Sequence, residues 1–477
     1  MLIIDLGVYC NDSETMFKME LTEKSPLKKN IVFFLIDGLR ADQCHGENKS
    51  SKTPNIDLLI KNGIYCKQAI SSADGTIISL NTTFSSKFQF GNAVRYQKLV
   101  LDKNNFLEIL KKHGYHMYGA IPNMTSFIPL REYFENENNG YEFSSPLETL
   151  STGLTERIIQ ILESKELLEP YFCYFHLFDL HPLREGKKSI GIEKFENEEF
   201  GSSAYARTVS LIDYWLGKIL TKIDTEKTLV VITGDHGERI PYEDKGYSDF
   251  QPRFDSATKL GRKHIPKSAH NLGGKFFGKA KNTVGKIKLS YSNTKLTSYE
   301  KRSREPYFTL SLFDELIHIP LIFSGIKLPG MIISQQVSST DIFPTIYDIV
   351  DLPPINPKIH GSSLVPLISK NLQKEHPIYL HTMPYEELSS LDRVGLRTGK
   401  YKYFRESRDS KKNVNLYDLK KDPYENRNIA KDHPLLVEEM EKILSELISS
   451  SKELEQQEIS KVEEEKIAKE LKKLGYM

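Results

Sequence analysis

A chain of 477 residues with 39% apolar and 27% charged residues can bury a large core, which excludes a disordered or collagen-like polymer. Its 65 basic and 64 acidic residues leave a net charge of +1, which excludes general polyanion binding and confines basic character to local segments. Four cysteines, Cys10, Cys44, Cys66 and Cys173, form no CxxC pair and read as buried free thiols of a reducing compartment. The opening MLIIDLGVYCNDSE lacks the basic flank and long apolar run of a secretory signal. The most apolar stretch, Leu167–Leu180, is interrupted by Glu169, Pro170, His176 and Asp179 and falls short of the roughly 20 residues a bilayer span needs. The chain thus reads as cytoplasmic, with no transmembrane segment.

After a leader over 1–28, the apolar run Ile31–Ile36 predicts a buried parallel strand that delivers Asp37 at its C-terminal end. Thr53-Pro54 opens a helix through Ile60, with Thr53 as N-cap, and Gly63–Ser71 reads as a second strand. A helix follows from Ile77. Asn105–His113 reads as an amphipathic helix stopped by Gly114, and Tyr115–Ile121 as a strand. Thr152–Ser164 and Ser203–Lys222 read as helices; Tyr171–Phe178, Thr228–Thr233 and Ile319–Phe323 read as strands. This alternation predicts an α/β fold, with a mixed, mostly parallel sheet flanked by helices. The main α/β domain is placed at 29–365, a smaller C-terminal α+β subdomain at 366–430, and a helical tail at 431–477. A basic insertion at 239–306 interrupts the main domain. Its stretch Lys259–Arg304 holds thirteen Lys or Arg against one acid, Glu300, and reads either as a solvated loop or as a lid for an anionic substrate. It carries no nucleic-acid motif, and no nucleic-acid partner is expected.

Polar residues fall just past strand ends, where doubly wound sheets place their sites. Asp37, Thr76, Asp235 and His236 offer two carboxylates, a hydroxyl and an imidazole, a plausible shell for a divalent cation. Metal coordination gives a Thr hydroxyl the nucleophilicity it lacks on its own. Thr76 sits where a helix starts, so backbone N–H groups point toward whatever it attacks, which suits a tetrahedral oxyanion.

Seven segments in order carry a family resemblance. Asn30-Ile31-Val32 through Asp37-Gly38-Leu39-Arg40-Ala41-Asp42, followed by Thr53-Pro54-Asn55, resembles the opening of the sulfatase-like branch of the alkaline phosphatase superfamily. Thr233-Gly234-Asp235-His236-Gly237-Glu238 is similar to its second metal motif. Phe313–Ile322, Ser339–Thr345, Gly361–Leu364, Arg397–Tyr403 and Leu416–Leu419 with Asp422-Pro423 match later segments, so the resemblance covers roughly 29–477 apart from the insertion. It implies an alkaline-phosphatase-like fold, with Asp37, Asp235 and His236 as metal ligands and Thr76 as nucleophile touching the same ion. His and carboxylate ligands suit Zn or Mn, and an oxygen-dominated shell suits Ca or Mg.

The departures are informative. Family sulfatases place Cys or Ser at the nucleophile position, with Pro two and Arg four residues on, for conversion to formylglycine. Here the run is Thr76-Ile77-Ile78-Ser79-Leu80. The resemblance therefore implies a metal-dependent hydrolase of phosphoric mono- or diesters, working through a phospho-threonine on a small-molecule or glycan-linked substrate. A phosphotransferase to a glycan, a sulfuric ester hydrolase without formylglycine, and a non-catalytic binding protein stand as alternatives. The sulfatase Lys after Gly114-Tyr115 is missing, and so is the later Lys or His before Phe313; His264, His270 or another insertion residue could replace that charge. His181, in Phe178-Asp179-Leu180-His181-Pro182, resembles a substrate-binding His-x-Pro segment and reads as general acid or substrate contact, or as second-metal ligand with Asp179. Arg40 is expected to pair with an acid near the metal. His318 stands between a core role and a site role.

Overall fold

The computed structural model describes residues 28–47, 49–90, 98–101, 105–143, 147–184, 187–240, 297–302, 311–352, 359–369, 375–383, 392–449, 465–467 and 469–470. In chain order the main elements are β1 (Asn30–Ile36), α1 (Pro54–Lys61), β2 (Ile64–Ile70), α2 (Thr76–Ser85), α3 (Phe106–Lys112), β3 (His116–Pro122), β4 (Gly140–Tyr141), α4 (Thr155–Leu162) and β5 (Tyr171–Leu177). Then come α5 (Ala204–Leu220), β6 (Thr228–Thr233), β7 (His318–Ile319), β8 (Leu321–Ser324), β9 (Met331–Ser338) and α6 (Ile342–Ile349). The chain goes on through β10 (Ile378–His381), β11 (Arg393–Arg397), β12 (Tyr401–Glu406), β13 (Asn415–Asp418) and α7 (Pro434–Ser449).

Strands β1 to β9 form one sheet in the order β4-β3-β5-β1-β6-β8-β2-β7, with β9 also on β2. The run β4-β3-β5-β1-β6 is parallel, β6–β8 and β2–β8 are antiparallel, and β2–β9 is parallel. The mixed, mostly parallel sheet is as expected. β1 lies in its middle, and every residue of it is buried. Its side chains alternate: Ile31, Phe33 and Leu35 join the core with α2, α3 and α6, and Val32, Phe34 and Ile36 join the core with α4 and α5. Phe33 stacks on Phe343 of α6 at 5.8 Å. Strands β10 to β13 form a separate antiparallel sheet, packed against α7 through Met440 and Leu444.

Several local expectations shift. Thr53 makes no side-chain cap to α1; its hydroxyl lies 3.2 Å from the Asp57 carboxylate, and Pro54 alone opens the helix. The helix expected from Thr152 begins at Thr155, because Gly153 at φ +115° breaks the preceding turn. The expected strand Ile319–Phe323 is divided into β7 and β8 at Pro320, which has no N–H for a ladder. Cys44, Cys66 and Cys173 are buried free thiols; Cys10 lies outside the described residues. So does most of the basic insertion, including His264 and His270. Its described end, Ser298–Arg302, is a helix whose Tyr299 hydroxyl accepts a hydrogen bond from Arg40 at 2.9 Å. No helix among the described residues is long and apolar enough to cross a membrane.

Candidate metal centre and nucleophile

β5, β1 and β6 are consecutive parallel strands, so the loops after Leu177, Ile36 and Thr233 leave the same sheet edge side by side. The turn after β1 holds Gly38 at φ +71°, a left-handed conformation that costs glycine nothing. α2 starts at Thr76, immediately after this edge. Its N-cap Gly75 is in extended backbone, and a Cβ there would come within 2.7 Å of Met383 Sδ, so a larger residue would have to displace the Met383 side chain.

These loops bring together all four residues expected to hold a cation. Ligand atoms of Asp37, Asp235 and His236 lie within 4.8 Å of one another, and all three residues are buried. The Thr76 hydroxyl donates to Asp37 Oδ2 at 2.9 Å and lies 3.3 Å from His236 Nε2. His236 Nδ1 is 2.6 Å from the Gly237 carbonyl. A carbonyl only accepts, so Nδ1 carries the proton and Nε2 presents a lone pair to the cluster. Asp235 Oδ1 accepts from the backbone N–H groups of Gly38 and His236 at 3.1 and 2.9 Å. Among the described residues Asp235 Oδ2, which is buried, has no hydrogen-bond partner, and it lies 3.5 Å from His236 Nε2. A buried carboxylate oxygen without a donor, facing an imidazole lone pair, is costly unless a cation joins them. The residues present therefore fit a divalent metal.

The segment after β5 closes the site. His181 Nε2 is 3.0 Å from Asp37 Oδ1, and His176 Nε2 is 3.7 Å from Asp37 Oδ2. Arg184, at the end of the one-turn helix His181–Arg184, brings Nη2 to 3.3 Å from both Asp37 Oδ1 and His236 Nε2, while its Nε donates to Glu238 Oε2 at 2.6 Å. Burial alone would raise the Asp37 carboxyl, yet His181 and Arg184 beside it hold it well below the usual carboxylate range. Burial, reinforced by Arg184, lowers the His181 imidazole, and Asp37 beside it acts in the opposite direction.

Of the other residues singled out, three sit away from the reacting cluster. Asp179 turns inward: its Oδ1 accepts from Leu150 N–H at 3.0 Å, and it is absent from the metal-ligating group. This geometry runs against a shared second-metal role with His181. Arg40 pairs with Asp42, which is not in the metal-ligating group, at 2.5 Å and donates to the Glu238 carbonyl at 3.0 Å. His318, half-buried, donates from Nε2 to the Lys67 carbonyl at 2.9 Å, a structural contact rather than a site role. Sequence reading missed Arg184, Glu238 and His176. Arg184 lies three residues past His181, a spacing that places both on one helix face and could have signalled it.

The comparisons with known proteins accord with this geometry. A model described as Sulfatase matches residues 29–352, and one described as N-sulphoglucosamine sulphohydrolase, C-terminal, matches 307–457. Arylsulfatase K of Homo sapiens is 30% identical over 155 residues, and that of Canis lupus familiaris is 32% identical over 158. Each match takes in 31% of this chain and 28% of the relative, so it spans little more than a quarter of those proteins' length. Among solved structures, a 2-O GAG sulfatase superposes with a TM-score of 0.58 at 17% identity, covering 89% of this chain and 92% of that one. The phosphonate monoester hydrolase of Agrobacterium radiobacter also gives 0.58, at 15% identity, covering 89% and 96%. With a family model matched over residues 29–352 and the metal-ligating cluster inside that span, the chain belongs to the sulfatase family of hydrolases.

Proposed function

We propose that this chain hydrolyses phosphoric mono- or diesters of a small or glycan-linked alcohol, through a covalent phospho-threonine at Thr76. The observation that carries the proposal is the nucleophile itself: a buried Thr hydroxyl at the first turn of α2, 2.9 Å from Asp37 and 3.3 Å from the unprotonated Nε2 of His236. Thr has no route to formylglycine, and an unmodified hydroxyl suits transfer of a phosphoryl group.

Asp37, Asp235, His236 and Thr76 would hold a divalent ion, Zn or Mn by donor type, which when bound supplies charge that makes the alkoxide accessible. The chain's own residues supply the rest. Thr76 already directs its proton to Asp37 Oδ2, so Oγ1 is the group that attacks phosphorus as the bond to the leaving alcohol breaks. The first-turn N–H groups of α2 face the oxyanion. His181, buried with Nε2 3.0 Å from Asp37 Oδ1, is the candidate donor of a proton to the leaving oxygen from its protonated imidazole. Water then cleaves the Thr76–phosphorus ester; an acceptor alcohol in its place would make the same site a phosphotransferase.

The names of the relatives favour sulfate esters as a second reading. The test is p-nitrophenol release from bis-p-nitrophenyl phosphate and from p-nitrophenyl sulfate, by Mn- or Zn-loaded wild type and Thr76→Ala. Diester turnover that vanishes in Thr76→Ala and on chelation supports the proposal. Turnover of the sulfate alone replaces it with the second reading, and no turnover despite bound metal moves the weight to an acceptor-requiring transferase.

A further inference from the structure

The two lysine or histidine positions that usually bind the transferred group in this family are not filled in this sequence, yet an anion needs a cation beyond the metal to be gripped in a buried site. We infer that Arg184 is that cation, held in place by Glu238. The inference rests on the phosphoesterase reading and assigns to Arg184 a non-bridging oxygen of the transferred phosphoryl group.

Four observations carry it. The Arg184 side chain is only 1% exposed, so its charge acts at low dielectric rather than on solvent. Its two ends are held unequally. Nε sits 2.6 Å from Glu238 Oε2, whereas Nη2 lies at the longer distance of 3.3 Å from both Asp37 Oδ1 and His236 Nε2. The short bond fixes the stem, and the long ones can be exchanged for an anion once Asp37 and His236 take a cation of their own. Glu238 is itself fixed, since its Oε1 accepts from Arg239 N–H at 2.8 Å. Finally, Gly38 leaves the room: a Cβ at that position would sit 3.4 Å from Arg184 Nη2 and 3.5 Å from Glu238 Oε2. The charges agree. Asp37, Asp235 and Glu238 face one guanidinium, so even with a divalent ion the cluster is only neutral, and loss of Arg184 would leave it net negative toward an incoming anion.

The test is calorimetric titration of inorganic phosphate into the Mn-loaded full chain, beside titration of Mn into the metal-free chain. Arg184→Ala is expected to weaken phosphate binding about 10- to 100-fold, with Arg184→Lys intermediate, since a lysine keeps the charge and loses the fork. Mn affinity should stay within about threefold or tighten, because a cation competing for Asp37 is gone. Glu238 is a positioning residue: Glu238→Gln should weaken phosphate binding several-fold in the wild-type background and not at all beside Arg184→Ala. Phosphate affinity within twofold of wild type in both Arg184 variants, or a Glu238→Gln effect independent of Arg184, overturns the inference. So does a wild type that binds Mn but no phosphate. If Arg184→Ala fails to fold, Arg184→Lys and Glu238→Gln carry the test. Because binding needs no turnover, a wild type inactive on esters that still binds phosphate through Arg184 overturns only the hydrolase reading. An active wild type with Arg184-independent binding overturns only this one.

Discussion

Asp179→Asn separates a structural aspartate from a metal ligand, and the structure sets the size of the effect. Asp179 is 2% exposed. Oδ1 accepts from Leu150 N–H, and Oδ2 has no partner among the described residues. Burial outweighs the pull of the Leu150 and Asp179 backbone N–H groups and pushes the carboxyl from 3.8 up to about 7. A carboxyl whose pKa is higher folded than unfolded binds its proton preferentially in the folded state. Its contribution to stability is complete below the unfolded value and is lost as pH rises through the folded one. At roughly 1.4 kcal/mol per pH unit, the gap amounts to about 4 kcal/mol as an upper bound. Asn keeps the acceptor for Leu150 and carries no charge, but its amide N–H meets no partner, at a constant cost of about 1–3 kcal/mol. Urea unfolding of metal-free wild type and variant should then show wild type losing stability relative to the variant as pH rises from 4.5 to 8, with all other titrating groups cancelling. Mn affinity should not change. A stability difference independent of pH would refute the burial argument, and a tenfold or larger loss of Mn affinity would restore Asp179 as a ligand.

Four further outcomes follow from the same contacts. Asp235→Asn should lower Mn affinity by on the order of 10²-fold or more in a competition titration, because it removes the orphaned anionic oxygen facing His236. Thr76→Ala should lower the turnover rate of bis-p-nitrophenyl phosphate by on the order of 10³-fold or more, while its metal-free stability falls only about 1 kcal/mol for one lost hydrogen bond. Lys402 is fully buried between Asp314 and Glu425, at 2.6 and 2.7 Å, so Lys402→Met should destabilise the fold by about 3–5 kcal/mol in denaturant. Asn105 caps α3 by accepting from Leu107 and Glu108 N–H, and Asn105→Ala should cost about 1 kcal/mol by the same assay.

The parallel half of the sheet was legible because its strands are uniformly apolar. β1, β5 and β6 fall within a residue of the expected bounds, and the helix expected from Ser203 begins at Ala204, with Ser203 as its cap. β9 and the C-terminal sheet were not, because their buried positions carry polar residues. In β9, Gln336 is buried and accepts from Arg397 Nη1 at 2.6 Å. In β12, Lys402 and Arg405 are buried through ion pairs to Asp314, Glu425 and Glu441. Period-2 reading assigns such residues to solvent, and only partners distant in sequence reverse that assignment.

The site divides along the same physical line. Asp37, Thr76, Asp235 and His236 stand beside turn glycines at the ends of elements, where sequence alone marks a site. Arg184 carries no such mark. It acquires its place from Glu238, 54 residues away, and from the adjacency of β5, β1 and β6, which follow one another in space but not in sequence. A search for the missing anion-binding charge confined to the usual motif positions ends at the basic insertion, the one segment with charge to spare. The sheet order offers another source. The loop after β5 already reaches the loop after β6 across β1, so one arginine on the one-turn helix can serve the site without a cation from the insertion. On this argument the thirteen cations of Lys259–Arg304 are not needed to hold the transferred group, and replacing the lysines of that stretch should leave phosphate affinity unchanged where Arg184→Ala does not.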